Sequence, residues 1–223
     1  MCIRDSPQRY YHIDGVELNK TVKEKDVGVI IQSSLKFSEQ CKKVALTCNR
    51  IIGQVRRSFS NKDPTIMMQI FKSYILPHLD YAVSVRNPYM QKDIAILESI
   101  QRRYTRMIKG MTGLSYEERL TVLGLPTLQE RRDMIDLTQV YRLRNGIDKI
   151  NRPLFRPVSE CHSFATRSSR KGNIAGQKTS LDLRKNFFTN RVITGWNALP
   201  QDVQTSSSLN VFKSKMKDEL NFL

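Results

Sequence analysis

The 223-residue sequence predicts a mainly α-helical chain with a small β segment near its N-terminal end. Three observations carry this. Apolar residues recur at three- and four-residue spacing from Ser38 onward, the signature of helices with one buried face. β-Branched and aromatic runs are confined to residues 9–32. Helix-start signals, Asp63-Pro64, Ser115 with Glu118 and Thr127 with Glu130, stand where those periodic stretches begin.

Taken in order, "RYYHIDGVELN" sets an Asp14-Gly15 turn between two short β-prone runs, a hairpin signal, and "VGVII" at 27–31 reads as a third strand. Three strands are few for an independent sheet, so they are expected to lean on the helices that follow. In the first helix Cys41, Val44, Ala45, Cys48, Ile51, Ile52, Val55 and Phe59 form one stripe, with Lys42, Lys43, Arg50 and Arg57 away from it. Cys41 and Cys48 are thereby core thiols. Asp63 caps a second helix with apolar residues Ile66, Met67, Ile70, Phe71, Tyr74 and Ile75, which Pro77 should kink or divide. His78 reads as a structural hydrogen-bonder, since no second catalytic group is spaced to join it.

The third helix, 91–109, is basic and apolar at once. Ile94, Leu97, Ile100, Tyr104, Met107 and Ile108 project to one side, and Arg102, Arg106 and Lys109 project almost opposite. Two capped helices follow, the second ending at Gly146. Residues 147–180, rich in Pro, Ser, Gly and cations, read as a basic flexible linker. Residues 181–223 form a tail of two helices, one carrying Phe188, Val192, Ile193, Trp196 and Leu199, the other capped by Ser207 or Ser208.

Charge narrows the function classes. Thirty-seven Lys and Arg against 21 Asp and Glu give +16, with pI near 9.9, which points to a polyanionic partner. Like charges at i,i+4 cost roughly a few tenths of a kcal/mol, so a ridge of them suggests a polyanion that offsets the repulsion. The cysteines at 2, 41, 48 and 161 lack CxxC spacing, which argues against a zinc site and a disulfide framework and fits a reducing compartment; Cys161-His162 is no ligand pair. No metal-ligating residues are expected. No run of 18 apolar residues suggests a membrane span.

"KDVGVIIQSSLKF", "CNRIIGQVRRSF", "IFKSYILPHLDYAVSVRNPY", "LESIQRRYTRMIKG", "LGLPTLQERR" and "FFTNRVITGWNALPQDVQTSSSLNVFKSKM", in that order, resemble the C-terminal blocks of non-LTR (LINE-type, jockey-like) retrotransposon reverse transcriptases. The resemblance implies palm-end strands at 7–36, a helical thumb-like domain at 37–146, the linker at 147–180 and the tail at 181–223. Residues 1–6, "MCIRDS", are similar to what the end of a transposase-based sequencing adapter encodes, so the natural frame is expected from Pro7. The thumb of that family holds template–primer by its backbone. This implies nucleic-acid contact for Arg102, Arg103, Arg106 and Lys109, with Arg56 and Arg57 as second candidates. One departure stands out: Arg86 occupies the Trp position of the family's "VWNPY".

The family's Tyr-x-Asp-Asp carboxylates, which hold Mg²⁺ ions for nucleotide transfer, do not occur here. No catalytic residue is therefore expected. The fragment should bind RNA–DNA hybrid or duplex, need no cofactor itself, and serve a parent polymerase that uses Mg²⁺. Its partners would be nucleic acid and the upstream palm and fingers. An intracellular life cycle through nucleus and cytoplasm follows from the same resemblance. Two other classes stay open: a helical protein-interaction module docking through the Trp196 helix, and a decayed copy without function.

Overall fold

The structure, a computed structural model, describes residues 10–151, 153–158, 172–177 and 179–219. The adapter-like hexamer, Cys161, His162 and residues 167–171 of the basic linker lie outside them. The architecture is mainly helical with a small N-terminal hairpin region.

Two hairpins open the described chain: β1 (His12–Ile13) with β2 (Val16–Glu17), and β3 (Lys23–Asp26) with β4 (Val29–Gln32), both antiparallel. The Asp14-Gly15 turn forms with both residues at positive φ, as a two-residue hairpin turn needs. The second hairpin departs from the sequence reading. Val27 (φ 42°) and Gly28 (φ 81°) are its turn, so the strand begins at Val29 and pairs with the charged run Lys23–Asp26. A charged strand and a Val-Gly turn carry no ordinary β signal. Tyr81 anchors this turn by donating from its hydroxyl to the Val27 carbonyl at 2.5 Å, and Ile30 N–H donates to Gln40 Oε1 at 3.0 Å.

The helical body follows as α1 (Ser38–Ser58), α2 (Pro64–Ile70), a π turn (Phe71–Ile75), α3 (Leu76–Asp80), α4 (Val83–Arg86), α5 (Gln91–Arg106), α6 (Tyr116–Leu123) and α7 (Leu128–Arg144). After these come α8 (Asp182–Lys185), α9 (Phe188–Ala198), α10 (Gln201–Gln204) and α11 (Leu209–Glu219). Pro77 divides the second predicted helix, as its missing N–H and ring demand. The ladder widens ahead of it, Leu76 N–H reaching Phe71 O. Ile66 and Tyr74, both expected on the apolar face, are exposed, because the buried stripe runs through Met67, Phe71 and Ile75 and they flank it. Phe59, expected on the α1 stripe, lies past the helix end in extended backbone and is exposed too.

Two cores result. The first joins α1, α2, the π turn, α3 and α5 around Cys41, Cys48, Ile52, Phe71, Leu97, Ile100 and Tyr104. Tyr104 donates from its hydroxyl to Met67 O at 2.7 Å. The second joins the C-terminal half of α7 to α9 and α11 around Leu137, Val140, Tyr141, Trp196 and Phe212. Ile174 joins that core, bridged to Pro157. Tyr141 stacks on Phe212 with centroids 4.5 Å apart and donates to Ser206 O at 2.6 Å. Because α7 supplies Leu128 to the first core and Tyr141 to the second, it is apolar on more than one side and serves both.

Arg86 fits its place. It is 2% exposed, and its guanidinium donates to Tyr81 O at 2.5 Å and His78 O at 2.8 Å, capping the last carbonyls of α3. The hydrogen-bonding expected of His78 thus falls to its backbone carbonyl, and its exposed ring makes no hydrogen bond among the described residues. Both capping boxes form: Ser115 N–H reaches Glu118 Oε2 at 2.6 Å, and Thr127 N–H reaches Glu130 Oε2 at 2.8 Å. Of the two serines offered as the final cap, Ser208 takes the role, its Oγ accepting from Val211 N–H at 3.3 Å.

Candidate nucleic-acid interface

The basic residues of α5 stand on its outer face because the inner face is spent on the first core. Leu97, Ile100, Gln101, Tyr104 and Thr105 are buried, while Ser99, Arg102, Arg103 and Arg106 are exposed. The helix ends at Arg106, three residues before the predicted limit, so Lys109 sits on the turn that follows. Its N–H donates to Lys62 O at 2.9 Å. Gly110, at φ 82°, completes the reversal.

Two contacts bring α1 to this face. Arg103 Nη1 donates to Asn49 Oδ1 at 3.0 Å, and the Lys109–Lys62 bond ties the ends of the two segments together. Both follow the same chain order, so the C-terminal ends of α1 and α5 meet at one end of the bundle. Arg56 and Arg57, in the last turn of α1, are therefore brought to the same end as Arg106 and Lys109. On the other flank of α5, Arg102 lies over the Tyr116 ring at 4.7 Å. Tyr116 is in turn fixed by its hydroxyl donating to Glu98. The sequence-predicted cations thus form a band from the end of α1 along α5, and the orienting Asn49 and Tyr116 are the residues beside it that periodicity alone did not reveal.

The partners of these cations decide what the band can do. Asn49 and Tyr116 are neutral, so they orient Arg103 and Arg102 without cancelling charge. None of Arg56, Arg57, Arg102, Arg103, Arg106 and Lys109 pairs with a carboxylate among the described residues. Several acids of the helical body are occupied elsewhere. Asp63 caps α2, Asp93 accepts from Ser38 Oγ at 2.7 Å, Glu98 accepts from Leu128 N–H at 3.1 Å, and Asp80 holds Arg131 by two contacts of 2.9 and 2.7 Å. Asp80 is thereby a structural ion-pair partner. Helix C-termini favour cations by about 0.3–1 kcal/mol each, which helps α1 and α5 tolerate their arginines.

Comparison with known proteins gives little beyond this. No protein-family model matches the chain, and no solved structure matches it. An uncharacterized protein of Caenorhabditis elegans is 22% identical over 127 residues, 56% of this chain and 64% of that protein's length. The chain thus spans less than two thirds of the relative it matches.

Cys41 and Cys48 are free and buried, and burial pushes both thiols up to about 11, so neither is a nucleophile at neutral pH. Among the described residues no group of three or more His, Cys, Asp or Glu is placed to hold a metal ion. No described helix is long and apolar enough to cross a membrane.

Proposed function

We propose that this chain is part of a non-LTR retrotransposon reverse transcriptase, an RNA-directed DNA polymerase, in which the helical body grips the template–primer backbone. The observation that carries the reading is the band Arg56, Arg57, Arg102, Arg103, Arg106 and Lys109: exposed cations, none of them paired with a carboxylate among the described residues, with Arg103 and Arg102 oriented by the neutral Asn49 and Tyr116. A phosphate backbone is the ligand such an arrangement suits, since its contacts need charge and position but no base reading. The ordered sequence blocks give the polymerase assignment, and the charge geometry gives the role within it.

No catalytic step is assigned to this chain's own residues. Nucleotide transfer with Mg²⁺ belongs to the upstream palm and fingers of the parent polypeptide, which are this region's protein partners, within an element that passes through nucleus and cytoplasm. The interaction-module alternative relied on the Trp196 helix, and that ring is 1% exposed, packed against Phe212 inside the chain. Binding to labelled RNA–DNA hybrid tests the proposal. The wild type binds with little sequence preference, and replacing Arg102, Arg106 and Lys109 by Gln weakens binding. Unchanged affinity in that triple variant would falsify the backbone-grip assignment.

A further inference from the structure

Helix α7 serves both cores and still leaves one row of side chains partly accessible. Arg131, Met134, Ile135 and Thr138 stand at i, i+3, i+4 and i+7, so they share one face of the helix. On α11, Asn210, Lys213, Ser214 and Lys217 repeat that spacing. The two rows line one groove of about 400 Å³ between the helices. Each row spans roughly 10 Å, two turns of helix.

The α7 side of this groove is apolar and the α11 side is cationic. Met134 and Ile135 are half-buried, and Ile135 joins neither core among the described residues. No carboxylate lines the groove. Arg131 is held by Asp80, so the uncommitted charge belongs to Lys213 and Lys217. Both are exposed, and neither pairs with a carboxylate among the described residues. The remaining lysine of α11 shows the contrast: Lys215 stands off the groove and pairs with Asp202 Oδ2 at 3.1 Å. Like charges four residues apart repel along a helix, and an anionic ligand lying against both relieves that repulsion.

We infer that this groove docks an acidic amphipathic helix of a protein partner, its apolar side on Met134 and Ile135 and its carboxylates on Lys213 and Lys217. Charge complementarity selects the occupant, and the apolar row selects its form. A helix lays apolar anchors at i, i+3 and i+4 into such a groove, and a flexible methionine adapts to them. A sugar–phosphate backbone offers the charge but no apolar group for Met134 and Ile135. A second copy of this chain is unsuited by its own net charge of +16. The inference uses other residues than the α1–α5 band and stands apart from the nucleic-acid reading.

The test is fluorescence anisotropy of a labelled peptide, two repeats of Leu-Glu-Glu-Leu-Leu-Glu-Glu, titrated with the full chain. Its control is a scrambled peptide of the same composition with the leucines spread round the helix. Saturable binding of the amphipathic peptide is expected, roughly tenfold tighter than the scrambled one. Lys213→Gln with Lys217→Gln should weaken it roughly three- to tenfold, whereas Arg106→Gln with Lys109→Gln leaves it unchanged. Absence of saturable binding, equal affinity for the two peptides, or equal losses in the two variants overturns the inference. Wild-type methyl chemical shifts give a readout that needs no variant: those of Met134 and Ile135 must move on titration, and movement only elsewhere also overturns it. The same Lys213 and Lys217 variant separates the two ligands. A lower salt slope for RNA–DNA hybrid in that variant would put phosphate against these lysines and contradict the acidic helix.

Discussion

Two sets of arginines in the helical body are used in opposite ways. Around the second core the guanidinium groups are anchored: Arg191 to Asp136, Arg142 to Asp148 at 2.6 Å, and Arg144 over the Trp196 ring at 5.2 Å with its Nη1 donating to Gly172 O. Along α1 and α5 they face solvent with neutral partners or none among the described residues. Composition alone treats these cations as equivalent. The difference lies in where the carboxylates are, and it separates charge that builds the fold from charge available to a ligand.

The sharpest way to break this contrast is to remove an anchored arginine. Arg191→Ala leaves Asp136 buried with only Asn87 Nδ2 as side-chain donor, and the expected loss is about 3–5 kcal/mol in urea unfolding. A loss below about 1 kcal/mol would make Arg191 no more structural than the α5 cations. Trp196 fluorescence should report the same midpoint as far-UV circular dichroism, because α7 belongs to both cores.

The next effect belongs to the first core and depends on pH. Cys41 and Cys48 are raised from 9.0 to about 11, chiefly by burial. Below 9 both states keep the protons; between 9 and 11 only the unfolded chain releases them, so stability falls as pH rises. Each thiol contributes a slope of at most about 1.4 kcal/mol per pH unit. Replacing both by Ala should flatten the alkaline limb of stability against pH, whatever it does to the neutral value. An unaltered limb would mean the thiols do not stay protonated in the fold.

Tyr104→Phe is expected to cost about 0.5–1.5 kcal/mol, the loss of one buried hydrogen bond, because Met67 O keeps the Phe71 N–H as donor. The circular dichroism melt checks it, and a neutral result would show that water replaces the hydroxyl. At the small end, Arg106→Gln with Lys109→Gln should change stability by less than about 0.5 kcal/mol, as expected of exposed side chains that form no ion pair. Equal destabilisation by this pair and by Arg191→Ala would erase the contrast.

Much of the fold was legible because it is local. The α1 and α5 stripes, the capping boxes at Ser115 and Thr127 and the break at Pro77 each follow from residues within a turn or two of one another. What escaped was non-local or locally atypical. Asp136 meets Arg191 and Tyr141 meets Phe212 across the 147–180 segment, and no periodicity encodes that distance. Lys23–Asp26 becomes a strand only because β4 lies beside it. The cations of the candidate site were readable as a ridge, but their splay was not: Arg103 turns to Asn49 and Arg102 to Tyr116, both on other helices.

The most direct measurement is the salt dependence of binding to RNA–DNA hybrid for two charge-matched variants, Arg106→Gln/Lys109→Gln and Lys213→Gln/Lys217→Gln, the latter pair being exposed on α11. If the α5 end grips the backbone, the log–log slope falls by about 1.8 for the first variant, from two lost phosphate contacts at roughly 0.9 each, and stays at the wild-type value for the second. An equal fall in both would show that only total charge matters and would contradict the account.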